Sequence, residues 1–306
     1  MSKSLIDYFR NEGNKAAITI KLKVFSKKGY AILPPISSKV LKDIVFSDDC
    51  FSQFIEYYKN GAMSFKVLSN DKGKKYYSVK KDNNENFKPL YIKENEFLRG
   101  AITAVVNKNL DISKIVGCKG EVNYSSATFN YLIDSISIKD TSELSVGIKD
   151  GGFLKITFLT PTAIPTKIML PPWASNINRR IPKFNRILPE PSFIAAYSAK
   201  LWVKIMNINE ANNIHYYTGR LADVYMAEMD YNLRPETIIV GRDELNRLRL
   251  FRGFTGFAVY RIKRGIMSKI LDKTLDLTQL MGLGKLKSLG MGEIKVEALN
   301  DKFEKI

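Results

Sequence analysis

The residues with the clearest chemical potential lie near the end of the chain. Positions 282–292 read Gly-Leu-Gly-Lys-Leu-Lys-Ser-Leu-Gly-Met-Gly. Glycine permits positive φ and lets a ligand approach the backbone closely. Amides of such a loop can turn toward phosphate oxygens as an anion nest, and Lys285 and Lys287 add charge at the same place. The bland alternative is a helix cap followed by a bulge. Two Gly-x-Gly pairs enclosing two lysines favour the anion site, with Gly282, Gly284, Lys285, Gly290 and Gly292 as its contacts. The loop lacks the Gly-Lys-Ser/Thr ending of a nucleotide-binding P-loop. It is not a dinucleotide fingerprint either, because a helix precedes it and a strand follows.

The rest of the chain restricts the chemistry further. Its 306 residues contain one histidine, His215, and two cysteines, Cys50 and Cys118. No metal site can use two histidines, and no Cys-x-x-Cys pair exists, so neither a metal site, a zinc knuckle nor a disulfide framework is expected. A two-histidine acid–base pair is impossible within one chain, and nothing around His215 resembles a nucleophile elbow. His215 reads as structural. No cofactor is expected. The remaining titratable groups are lysines and arginines: 48 of them against 31 Asp and Glu, a net charge of +17. Such a surplus attracts polyanions. Nucleic acid is the first candidate partner and an anionic membrane surface the second. No apolar run is long enough to span a bilayer, and the N-terminus lacks a signal-peptide core, so a soluble cytoplasmic protein is expected.

These side chains need elements to hold them. Residues 16–25, AAITIKLKVF, alternate with period two and read as a half-buried strand. SSKVLKDIVFS follows; Ser37 or Ser38 can cap a helix whose apolar stripe is Val40, Leu41, Ile44 and Val45. Lys39 and Lys42, three apart, lie on one side of that helix. Further strands are expected at 63–68, 88–93, 101–106, 128–138, 153–161, 236–241, 248–263 and 293–299. Helices are expected at 52–59, 192–207, 216–229 and 265–281, and residues 70–86 as an exposed hairpin or mobile loop. The segment 138–152 is the best boundary, giving domains 1–145 and 146–306. Each half then reads roughly β-α-β-β-α-β, an α+β class of two tandem ferredoxin-like domains, a common platform for RNA. A basic stretch, Arg179, Arg180, Lys183 and Arg186, would grip phosphates.

The glycine spacing of 282–292, followed by Glu293-Ile294-Lys295-Val296-Glu297, resembles the signature of the RAMP superfamily. More narrowly, the chain resembles the CRISPR-associated endoribonuclease that processes precursor crRNA, in an archaeal form lacking the usual catalytic histidine. LPPISSKVLK (33–42), FLTPTAIPTKIMLPP (158–172) and RGFTGF (252–257) agree, in order. The resemblance implies cleavage inside CRISPR repeat RNA by attack of a 2′-hydroxyl on its own phosphate, leaving a 2′,3′-cyclic phosphate without metal. It also implies lysines where the histidine would stand. Lys39 or Lys42 then moves protons, while Lys66 (or Lys88), Arg252, and Lys287 or Lys285 stabilise charge. The partner is precursor crRNA. A homodimer and hand-over of the guide to a CRISPR effector complex are further expectations of this kind. A non-catalytic RNA-binding subunit of such a complex is the competing reading, and a basic DNA-binding or membrane-surface protein the third.

Overall fold

The computed structural model describes residues 4–10, 14–27, 29–80, 88–94, 96–125, 127–177, 180–182, 184–208 and 213–300. The first half contains β1 (Lys15–Ser26), β2 (Ala31–Leu33), α1 (Ser38–Ser47), α2 (Ile55–Lys59), β3 (Met63–Phe65), β4 (Leu90–Ile92), β5 (Phe97–Asn107), β6 (Lys119–Tyr124) and β7 (Ala127–Asp140). Its main sheet is antiparallel in the order β3-β5-β1-β7-β6. Alternation along β1 turns Ile18, Ile20, Leu22 and Val24 into one core, where they meet Val40, Leu41, Ile44 and Val45 of α1.

The second half contains β8 (Phe153–Thr162), β9 (Ile164–Pro165), β10 (Asn185–Arg186), α3 (Pro191–Met206), α4 (Ile214–Tyr225), β11 (Met226–Arg242), β12 (Leu248–Ile262), α5 (Ile266–Met281) and β13 (Ile294–Leu299). Its sheet runs β11-β12-β8-β13, also antiparallel. The molecule is therefore a tandem of ferredoxin-like units. The regular β-α-β-β-α-β order is complete only in the second half. In the first, the connection from β5 to β7 holds a 3-10 turn, Ser113–Ile115, and the unforeseen β6 in place of a helix.

Two apolar clusters join the halves. Phe9, Ala17 and Val105 pack with Trp202, Ile270, Leu277 and Met281. Ile36 and Val67 pack with Ala163, Ile238, Val240, Phe251 and Met291. Buried contacts of this kind hold units in a fixed relation, where a polar interface would let them move.

Other expectations change. Residues 69–75 turn back on themselves as an exposed hairpin, Ser69 bridging Lys75, and 76–80 continue from it as ordered chain; 81–86 lie outside the described residues. Ser69 bridges Arg99 in the first sheet, and Val79 bridges Ile238 in the second. Lys80 donates its amide to the Thr237 carbonyl, and Ile239 donates to Ser78. The segment is a strap that covers the outer edge of β11, and the exposed backbone of that edge strand is what recruits it. Helix α4 stops at Tyr225, four residues before the expected end, because Met226 to Glu228 pair with Ile262 to Tyr260. Cys50 and Cys118, whose spacing carried no disulfide signal, are bonded to each other. No described helix is long and apolar enough to cross a membrane.

Candidate functional site

Helix α1 and the glycine loop meet. Ser37 and Ser38 are buried at the start of α1, and neither caps it in the usual way. Ser37 Oγ instead accepts the Leu68 amide at 3.0 Å, and Ser38 Oγ donates to the Leu289 carbonyl at 2.7 Å. The two serines fasten the helix to the strand-end beside it and to the loop from the other half.

The loop is held by its own backbone. Gly282, Gly284, Gly290 and Gly292 all have positive φ. A Cβ on Gly292 would stand 1.9 Å from the Leu283 carbonyl oxygen, and one on Gly284 would stand 2.4 Å from that of Ala163. The Leu283 amide donates to Gly292, Lys285 to Ala163 and Gly292 to Pro161. Buried Thr160 closes the turn, donating to the Gly290 carbonyl and accepting the Glu293 amide, both at 2.9 Å. The Leu283, Lys285 and Gly292 amides thus bond within the protein rather than face outward. The glycines are required by close packing, and the chemistry passes to the side chains around them.

Those side chains line a narrow crevice between Ser64–Lys66, Gln279–Gly282 and the loop. Lys287 enters it and donates to the Gly61 carbonyl at 3.0 Å. Burial, with nearby Lys204, pushes the Lys287 pKa down to about 8. Lys66 stands on the other wall, its Nζ 3.8 Å from Glu293. Burial lowers its pKa, Glu293 opposes the shift, and Lys75 and Lys21 add to it. Glu293, only 8% exposed, also binds Lys75 from the strap at 2.7 Å. One buried carboxylate thus orients two ammonium groups.

The α1 lysines are engaged elsewhere, outside the crevice lining. Lys39 Nζ donates to the Val240 carbonyl at 2.7 Å. Its pKa is lowered first by burial, then by Arg249, with Asp43 opposing. Lys42 Nζ lies 5.7 Å over Phe46 and 5.3 Å over Tyr58. The Tyr58 carbonyl accepts the Gly61 amide, so Lys42 and Lys287 flank the same turn.

Of the five sequence-chosen catalytic residues, Lys66 and Lys287 share the crevice, while Lys39 and Lys42 stand on α1 outside its lining. Arg252 does not reach it. Along β12, Phe251 is buried among residues of both halves, so alternation sends exposed Arg252 to the opposite face, opposite Thr237. Arg249, two residues before Phe251, is the arginine whose charge is felt by Lys39. Lys285 is half-buried in the loop, and the fallback Lys88 is exposed. Arg180 is exposed; Arg186 pairs with Glu190 at 3.4 Å and lies over Phe193. Arg179 and Lys183 lie outside the described residues. His215 is on α4, and burial followed by Lys200 pushes its pKa down to about 4. Sequence reasoning missed Lys75, Lys204, Arg249 and Glu293. Glu293 alone had a signal, standing directly after the last glycine of the loop.

A family model described as CRISPR-associated endoribonuclease Cas6 matches residues 156–294. The protein named CRISPR-associated endoribonuclease Cas6 2 of Saccharolobus solfataricus is 24% identical over 291 residues, 87% of this chain and 91% of the relative. Cas6 1 of the same organism is 25% identical over 171 residues, 55% of this chain and 60% of the relative, so that match spans less than two-thirds of it. Among solved structures, Thermus thermophilus Cas6 covers 94% of this chain and 99% of its own, with TM-score 0.56 and 16% identity. A Cas6 product complex covers 92% and 98%, with TM-score 0.59 and 16% identity. At this identity the structural likeness concerns the fold.

Proposed function

We propose that the chain, whose residues 156–294 match the family model of the CRISPR-associated endoribonuclease Cas6 and which is similar to a Cas6 relative over 87% of its length, cuts CRISPR repeat RNA within precursor crRNA, using lysines as its proton-transfer and charge-stabilising groups. The observation that carries this reading is the Ser38–Leu289 hydrogen bond, which fastens the helix bearing Lys39 and Lys42 to the glycine loop bearing Lys287.

The reaction follows from the groups at hand. The 2′-oxygen forms a bond to the adjacent phosphorus as the bond from phosphorus to the 5′-oxygen breaks, giving a 2′,3′-cyclic phosphate and a 5′-hydroxyl. The proton leaving the 2′-hydroxyl needs a base, and the departing 5′-oxygen needs a proton. Lys287, with a pKa pushed down to about 8, is partly neutral near physiological pH and can act as that base. This assigns proton transfer to a residue that the sequence cast as a charge stabiliser. Lys66, steered by Glu293, faces the charge that grows on the non-bridging oxygens. Lys39 and Lys42 supply the second proton and further positive charge. The RNA must be held with its 2′-oxygen in line with the leaving group, and the rigid joint between the two halves suits that task.

A specific observation favours the alternative of a non-catalytic RNA-binding subunit: Lys39 and Lys287 are each engaged by a main-chain carbonyl of the opposite half. Incubating the protein with repeat RNA in EDTA separates the readings. A single cut with a cyclic phosphate at the new 3′ end supports the nuclease. Tight binding with no cut overturns it. Lys39→Ala combined with Lys42→Ala is expected to lower the single-turnover rate more than the affinity; equal losses would restrict these lysines to binding.

A further inference from the structure

Cations gather near both ends of the second sheet. At one end the glycine loop packs on Pro161 and Ala163, just past the middle strand β8. At the other, where β8 begins and β12 and β13 finish, lies a concave depression of about 890 Å³ lined by Lys149, Arg261, Lys263 and Arg264. All four cations are exposed, and none forms an ion pair among the described residues. Among the described residues its lining contains one carboxylate, Asp150, already engaged by the Gly265 amide at 2.8 Å and the Ser268 hydroxyl at 3.0 Å at the start of α5. Those bonds also hold the Asp150 pKa below its ordinary value.

We propose that this basic bowl is a second phosphate-binding site for the RNA backbone, remote from the crevice; the proposal rests on the RNA-cleaving reading of the crevice. Four cations stand against one carboxylate that already serves the helix. Arg261 is steadied over the Phe153 ring at 5.9 Å, and the Arg264 stem lies against Gly151. Planar guanidinium forks held in this way suit phosphate oxygens, which they can engage in bidentate fashion. The bowl is wide and open, as a polymer requires and a small enclosed ligand does not. Strand β8 has ten residues, so bowl and loop are separated by about 30 Å at ~3.3 Å per residue. Roughly nine stacked nucleotides at ~3.4 Å each bridge that distance. RNA cut at the crevice would thus be held at both ends of one sheet.

The test measures anisotropy of a labelled oligouridylate RNA of about 30 nucleotides across a potassium chloride series, since phosphate contacts set the salt slope. Wild type is compared with Arg261→Ala/Lys263→Ala/Arg264→Ala, and with Lys27→Ala/Lys114→Ala/Lys119→Ala, which removes equal charge from exposed positions of the first half. The bowl variant is expected to bind on the order of tenfold more weakly, with a salt slope shallower by about 2 for three single-strand contacts. The first-half variant should keep wild-type affinity and slope. Equal losses in the two variants, or no loss in the bowl variant, overturn the proposal. So does retention of RNA affinity by the bowl variant with loss of binding to phosphatidylserine vesicles, which would assign the bowl to a membrane surface. If the wild type binds no RNA, the reading of the crevice itself fails, a distinct result.

Discussion

Ser38 and Leu289, 251 positions apart in the chain, are joined by a hydrogen bond of 2.7 Å from the serine hydroxyl to the leucine carbonyl. The helix that carries Lys39 and Lys42 is thereby fastened to the loop that carries Lys287. Removing the hydroxyl leaves a partly buried carbonyl without its donor. Ser38→Ala is expected to cost about 1–3 kcal/mol in urea unfolding and to reduce cleavage through misplacement of the loop. Wild-type stability in this variant would show that the bond does not fasten the helix.

Lys287 gives the sharpest test of mechanism. A base must be deprotonated to act, so the single-turnover rate should climb as pH rises toward about 8 and level off above it. Lys287→Arg keeps the charge but cannot lose a proton at these pH values. It is expected to retain RNA affinity and to lose the rate by on the order of 100-fold. A Lys287→Arg enzyme with near-normal rate would make the residue a charge stabiliser only.

The same lysine links stability to pH. Its pKa falls from an ordinary 10.5 in the unfolded chain to about 8 in the folded one. Between those values the unfolded state binds more protons, so stability increases as pH rises from about 8 to 10.5. Lys15, Lys39 and Lys66, also lowered mainly by burial, act in the same sense. Thermal midpoints measured from pH 7.5 to 10 should therefore rise in wild type and rise less in Lys287→Met. A flat profile in both proteins would contradict the burial of this ammonium group.

Glu293 is a positioning residue, since it acts through Lys66 and Lys75. Glu293→Gln keeps the shape and removes the charge that steers them. Cleavage at saturating RNA should fall while RNA affinity stays the same or rises, because a negative charge has left the crevice. Loss of affinity together with an unchanged rate would refute the assignment.

The Cys50–Cys118 bond closes a loop across 68 positions, between the turn after α1 and the start of β6. Cys50→Ser combined with Cys118→Ser is expected to lower unfolding stability by about 2–4 kcal/mol and to leave the cleavage rate unchanged, since neither cysteine lines the crevice. A large fall in rate at unchanged stability would connect the bond to the chemistry.

Much of this protein is legible in its residues alone. Period-two alternation locates β1 and three-and-four spacing locates α1, and β8, α3 and α5 stand where strand and helices are expected. These signals are local, and burial of one face is enough to produce them. Resemblance carried by the glycine loop pointed to Lys66 and Lys287, the two lysines that the structure brings into one crevice. What stayed hidden was decided by partners distant in the chain. The strap at 69–80 is polar and reads as a loop because its order comes from the edge of β11, on the other half. The same edge-to-edge pairing shortened α4, and the disulfide left no trace in spacing. Arg252 and Arg249 cannot be told apart as residue types; which of them nears Lys39 depends on which face Phe251 buries. The sequence by itself determined most of the elements and the supply of cations. Tertiary structure decided which cations share a crevice, how far burial shifts their pKa values and which carboxylate steers them, because these depend on distances between residues that chain order does not encode.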